Sequence, residues 1–162
     1  MGHCRPDLRD RAGTQPTPPR RGDKPHASQE GETMNKLGMG GAPLGNLFDH
    51  IDETIAVAMV SAAWDSGVRH FDTAPYYGAG LSEHRIGAVL RRHPRDAYTL
   101  STKVGRVLEP APDVPERAQG FVGGLPFRRR FDYSAEGAVR SLEDSMQRLG
   151  LSLSCCREFC DG

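Results

Sequence analysis

An acid, a phenol and an amine stand at the ends of two successive apolar segments. Asp72 and Tyr77 lie in Asp72-Thr73-Ala74-Pro75-Tyr76-Tyr77-Gly78, and Lys103 in Leu100-Ser101-Thr102-Lys103-Val104-Gly105. Tyrosine alone, with a pKa of about 10, is a poor acid at neutral pH. A nearby ammonium stabilises the phenolate, and a carboxylate holds the ammonium in place. Such a trio makes a tunable proton donor, able to protonate a carbonyl oxygen or to take the proton of a hydroxyl. Where the carbon also gains or loses hydride, which no side chain supplies, the chemistry needs a hydride-carrying cofactor. Lys24, Lys36 and Lys103 are the only lysines in a chain that otherwise uses arginine. A compact ammonium suits a phenol partner better than a guanidinium fork.

Alternating strand-like and helix-like segments surround these residues. Leu37 to Leu44 is a Gly-punctuated apolar run. Asp52 to Ser66 reads as a helix with Ile55, Met59 and Ala62/Ala63 at helical spacing, acids at its start and Gly67 at its end. Val68 to Asp72 reads as a buried strand. Ser82 is the expected N-cap of a second helix, with Ile86, Val89 and Leu90 on one face and an end near His93-Pro94. Ala97 to Val104 is the next strand. Residues 105 to 133, rich in Pro and Gly, read as a long loop without periodicity, of the kind that forms functional lids. Ser134 then caps a third helix with the stripe Ala138/Val139, Leu142, Met146 and Leu149, ending at Gly150. This rhythm predicts an α/β fold with parallel strands. All strand-to-helix loops of such a fold gather at one rim, so Asp72, Tyr77 and Lys103 can face one cavity.

The run from Phe71 through Tyr77 and Gly78 to Glu83, with the later Thr102-Lys103, resembles the aldo-keto reductase family. The resemblance extends from about Leu37 to Leu151. It implies the N-terminal portion of a (β/α)8 TIM barrel, with Asp72, Tyr77 and Lys103 as catalytic residues. The family spacing favours Tyr77 over Tyr76, which reads as a structural aromatic. The family's catalytic His, on the strand after the next helix, has no counterpart here. The Gly38-Met39-Gly40-Gly41 opening looks like the family's first strand, which implies cofactor contacts at Gly40, Gly41 and Asp72 and a cofactor that is NADP or NAD. The Pro/Gly-rich insertion and Asp132-Tyr133-Ser134 look most like the bacterial sugar and pyridoxal dehydrogenases. The implied substrate is a small aldehyde, an aldose or an alcohol.

Size and composition bound this reading. A complete barrel of this kind needs about 250 residues, whereas the chain has 162. The expected fold is therefore an incomplete barrel over residues 34–151, with a disordered extension over 1–33 and an aberrant, cysteine-rich tail over 152–162. Met34 is a second candidate start. Lys+Arg and Asp+Glu both number 21, so no overall field attracts nucleic acid or an acidic membrane. The basic run Arg128-Arg129-Arg130 reads as solvated loop charge. No apolar stretch is long enough for a membrane span and no signal peptide appears, so a cytoplasmic protein is expected. No metal site is expected, because the terminal cysteines lack ligands to complete one. On its own the polypeptide is expected to bind the dinucleotide weakly or not at all. The alternative reading is a catalytically inactive truncated remnant that at most associates with a full-length homologue through its open sheet edge.

Overall fold

The computed structural model describes residues 37–151. The expectations for residues 1–33, for Met34 and for the tail over 152–162 fall outside the described residues. Three short strands, β1 (Gly38–Gly40), β2 (His70–Asp72) and β3 (Thr99–Ser101), form a parallel sheet in the order β1-β2-β3. Their register aligns Gly40, Asp72 and Ser101 in one row at the carboxyl ends. Parallel neighbours need a crossover, and α1 (Glu53–Asp65) and α2 (Leu81–Leu90) supply the two. A third helix, α3 (Ala135–Leu149), follows β3 after a long excursion.

Local chemistry sets the helix ends. The Asp52 carboxylate accepts the Thr54 N–H at 2.8 Å at the start of α1. Ser134 caps α3 by accepting from Gly137 N at 3.0 Å, and Gly150 ends it in the left-handed conformation. The second helix departs from expectation. Its cap is Gly80, with a φ of 94°, and Ser82 lies inside the first turn, fully buried. The Ser82 hydroxyl is withdrawn from capping because it bonds to the end of β1 instead.

The core gathers Phe71 from β2, Ala56 and Val60 from α1, Ile86 and Leu90 from α2, and Leu149 from α3. On α1 the buried positions are therefore one residue on from the expected stripe. Ile55 and Met59 are exposed, because one position turns a helical side chain by about 100°. Ala56 and Val60 share one buried cluster with Phe71 and Ile86. The third helix buries Gly137, Ser141, Ser145, Met146 and Leu149, while Val139 is exposed. Small residues let α3 approach closely: a Cβ on Gly87 of α2 would overlap the backbone of Leu149.

Residues 105–133 are not an unstructured loop. They hold β4 (Arg106–Pro110) paired antiparallel with β7 (Phe127–Phe131), and β5 (Arg117–Ala118) paired antiparallel with β6 (Phe121–Val122). The two residues joining β5 to β6, Gln119 and Gly120, both have positive φ, 54° and 87°. That backbone matches the right-handed twist of a tight hairpin. Strands this short, with Pro and Gly between them, carry little period-two signal.

Candidate active site

The carboxyl ends of β1, β2 and β3 are laced together. Gly41 N donates to Asp72 O at 2.7 Å, and Thr73 N donates to Ser101 O at 2.9 Å. The Ser82 hydroxyl donates to Gly41 O at 2.7 Å and lies 2.9 Å from the Thr73 hydroxyl. Since Ser82 has a single proton, Thr73 is the donor of that second bond. A Cβ on Gly41 would come within 2.6 Å of Ser82 Oγ and 2.8 Å of Asp72 O, so packing alone demands glycine there. Gly40 differs. Nothing lies within 4 Å of where its Cβ would stand.

On this rim the Lys103 ammonium reaches both oxygens of Asp72, at 2.7 and 3.0 Å, and Thr73 O at 2.9 Å. The carboxylate and the carbonyl together fix the position of the ammonium. Lys103 Nζ also stands 5.0 Å from the centroid of the Tyr77 ring. Burial pulls the Lys103 pKa down, but hydrogen bonding and charge attraction from Asp72 and Tyr77 outweigh it, and the ammonium sits above its ordinary range. Lys103 and Asp72 remain 49% and 39% exposed, so the pair faces solvent and is open to a ligand. Tyr77 is held from behind by backbone packing. A Cβ on Gly45 would stand 2.5 Å from Tyr77 C, and Gly78 follows with a φ of 66°. Lys103, 31 residues beyond Asp72, thus meets Asp72 and Tyr77 at one place, with Gly40 in register beside Asp72.

A buried carboxylate supports this arrangement. Glu83, fully buried, accepts the Thr102 hydroxyl at 2.8 Å on one oxygen and Arg148 Nε at 2.6 Å on the other. Arg148 Nη2 also donates to Ser145 Oγ at 3.1 Å. One side chain thereby ties the residue before Lys103 to α2 and α3. In the sequence Glu83 stands out only as the end of the family-like run, directly after the expected cap Ser82. No local signal points to Arg148 as its partner.

Tyr76 turns away from the pair. Its hydroxyl donates to Gln119 O at 3.3 Å, and its ring meets Phe121 edge-on at 5.3 Å. Phe121 also flanks Tyr77, with ring centroids 6.2 Å apart. The hairpins over residues 105–133 thus wall the phenol on one side. Among the described residues no group of His, Cys, Asp and Glu is arranged to hold a metal ion.

Residues 36–153 match the model of the Aldo/keto reductase family. The chain belongs to that family. It is 44% identical over 137 residues to pyridoxal 4-dehydrogenase of Microbacterium luteolum, covering 79% of this chain and 40% of the relative. It is 42% identical over 134 residues to D-threo-aldose 1-dehydrogenase of a Pseudomonas species, again covering 79% of this chain and 40% of the relative. The chain thus spans about 40% of the length of these curated relatives. Among solved structures, it resembles an aldo-keto reductase from Bacillus halodurans in its holo form. That match has a TM-score of 0.52 and 29% identity, over 71% of this chain and 32% of that one. The glycerol dehydrogenase of Gluconobacter oxydans matches with a TM-score of 0.51 and 26% identity, over 70% of this chain and 32% of that one. The three strand–helix units are therefore part of a (β/α)8 barrel, and the carboxyl-terminal rim just described is the face on which such barrels carry their active sites.

Proposed function

We propose that this aldo-keto reductase chain supplies the acid–base centre of an NADP- or NAD-dependent oxidoreductase, acting on a small aldehyde, an aldose or the corresponding alcohol. One observation carries the reading: the Lys103 ammonium, clamped by both Asp72 oxygens, stands 5.0 Å from the ring centroid of Tyr77. In reduction, Tyr77 gives its hydroxyl proton to the carbonyl oxygen, and the fixed positive charge of Lys103 stabilises the phenolate that is left. In oxidation, the phenolate takes the proton of the substrate hydroxyl. Asp72 keeps the ammonium in place in both directions.

The open space at Gly40, in register with Asp72, leaves the strand end clear for the nicotinamide end of the cofactor. Gly40 and Asp72 would hold it. Gly41 has its N–H and carbonyl already engaged, so it contributes by fixing the strand end. Bound there, the cofactor supplies or accepts the hydride. The similarity to pyridoxal and aldose dehydrogenases supports a small polar carbonyl or alcohol as substrate. No helix among the described residues is long and apolar enough to cross a membrane, and a cytoplasmic setting goes with this reading.

The test uses a chimera in which residues 37–151 replace the matching segment of the Pseudomonas aldose dehydrogenase. The chimera is expected to turn over, and Tyr77→Phe to lower kcat by about a hundredfold or more. Full turnover in the Tyr77→Phe chimera would overturn the reading. Assaying the 162-residue chain alone then separates an autonomous enzyme from an inactive remnant.

A further inference from the structure

The run Arg128-Arg129-Arg130 is split between two settings, because β7 is a strand and successive side chains point to opposite faces. Arg128 pairs with Asp113 at 3.3 Å, and Arg130 with Glu109 at 2.6 Å and Asp132 at 3.1 Å. That face is neutralised. Arg129 shares the other face with Arg106, whose register partner is Phe131. The Arg106 guanidinium carbon lies 4.0 Å from the centroid of the Tyr76 ring and 4.8 Å from that of Phe131. The Arg129 guanidinium carbon lies 4.9 Å from Tyr76 and 5.4 Å from Phe121. Arg129 is thus not the solvated loop charge that its sequence setting implies.

Among the described residues neither guanidinium meets a carboxylate. Arg129 donates from Nη1 to Gln119 Oε1 at 3.0 Å, and its buried Nε finds no acceptor. The Arg106 guanidinium makes no hydrogen bond to another described residue, and its contacts are the two rings. Burial holds the Arg129 pKa below its ordinary range; the Tyr76 phenol opposes this and the Arg106 charge adds to it. Two cations share one phenol ring with donors unspent, and so present N–H groups to an anion. Guanidinium forks suit carboxylate and phosphate oxygens, and the stacked rings hold the forks in fixed orientations.

This cluster adjoins the proposed reaction centre, since the Tyr76 and Tyr77 rings are 6.5 Å apart. We propose that Arg106 and Arg129 form a subsite for an oxyanion substituent, a carboxylate or a phosphate, on the carbonyl substrate. The protein then selects an acidic aldehyde or sugar over its neutral counterpart. The inference rests on Tyr77 as the group that exchanges the proton, and it names the substrate class for that reaction.

Three probes of one shape test it: benzaldehyde, para-carboxybenzaldehyde and para-formylphenyl phosphate. Binding to the 162-residue chain is followed by NMR of the arginine side-chain N–H resonances. An acidic probe is expected to bind about tenfold tighter than benzaldehyde, the size of one charge-assisted hydrogen bond. Which of the two does so identifies the oxyanion. Arg106→Gln and Arg129→Gln are expected to abolish the preference. Arg128→Gln, which removes the same charge from the opposite face, is expected to keep it. Equal affinity for all three probes, no binding of any, or an equal loss in Arg128→Gln would overturn the inference. In the chimera, equal kcat/KM for the neutral and acidic probes, with loss of turnover in Tyr77→Phe, overturns the subsite and leaves the proposed reaction standing. Tight binding of an acidic probe without any reduction does the reverse.

Discussion

Arg148→Met tests whether the buried carboxylate of Glu83 holds the rim together. Glu83 is fully shielded and Arg148 is 13% exposed, with 2.6 Å between Arg148 Nε and Glu83 Oε2. Removing the guanidinium leaves a buried negative charge whose remaining side-chain donor is Thr102. Breaking such a pair costs about 3–5 kcal/mol. The slight exposure of Arg148 lets some water in, so we expect about 3 kcal/mol. That is a large share of the roughly 5–15 kcal/mol that stabilises an ordinary domain. With a urea dependence of about 1–3 kcal/mol per molar, the unfolding midpoint falls by about 1–3 M at unchanged slope. The double variant Glu83→Gln/Arg148→Met carries no buried charge and is expected to be more stable than Arg148→Met alone. Equilibrium urea unfolding followed by circular dichroism reads both. A loss below about 1 kcal/mol in Arg148→Met, or a double variant no better than the single one, would refute the reasoning.

Gly41→Ala forces a methyl group into Ser82 Oγ and Asp72 O, and the overpacking is expected to cost about 1–3 kcal/mol in a thermal or urea melt; a change within experimental error would show that the rim can yield. Ser134→Ala removes the acceptor for Gly137 N and is expected to cost about 1 kcal/mol by the same measurement. The Lys103 pKa is raised in the folded chain, so its contribution is fully present below the unfolded lysine value of about 10.4 and is lost as pH rises through the folded value. Between about pH 9 and about pH 11 the wild-type urea midpoint should therefore fall further than that of Lys103→Met; parallel falls would remove Lys103 as the cause.

That Asp72, Tyr77 and Lys103 meet at one place was legible because its signal is local. Asp72 and Lys103 stand at the ends of two apolar runs, Tyr77 lies in the loop after the first, and in a parallel sheet all such ends share one rim. The three helices were legible from capping residues and apolar spacing, with errors of phase. Ile55 and Met59 were expected inside, yet the sheet meets α1 through Ala56 and Val60. Ser82 was expected to cap a helix, a local use of its hydroxyl, and instead ties β1 to β2 across the rim. The hairpins over residues 105–133 were missed because strands of two to five residues are too short to show alternation.

By itself the sequence determined the chemical types available, their order along the chain and the parallel architecture that collects them. These depend on side-chain identity and on periods that repeat within a few residues. Only the tertiary structure decided that Arg148 neutralises Glu83, that Gly41 is demanded by packing while Gly40 stands open, and that Arg129 turns inward while its two neighbours are paired outside. Each of those facts depends on residues brought together from distant parts of the chain, where burial and the loss of water decide which charge needs a partner.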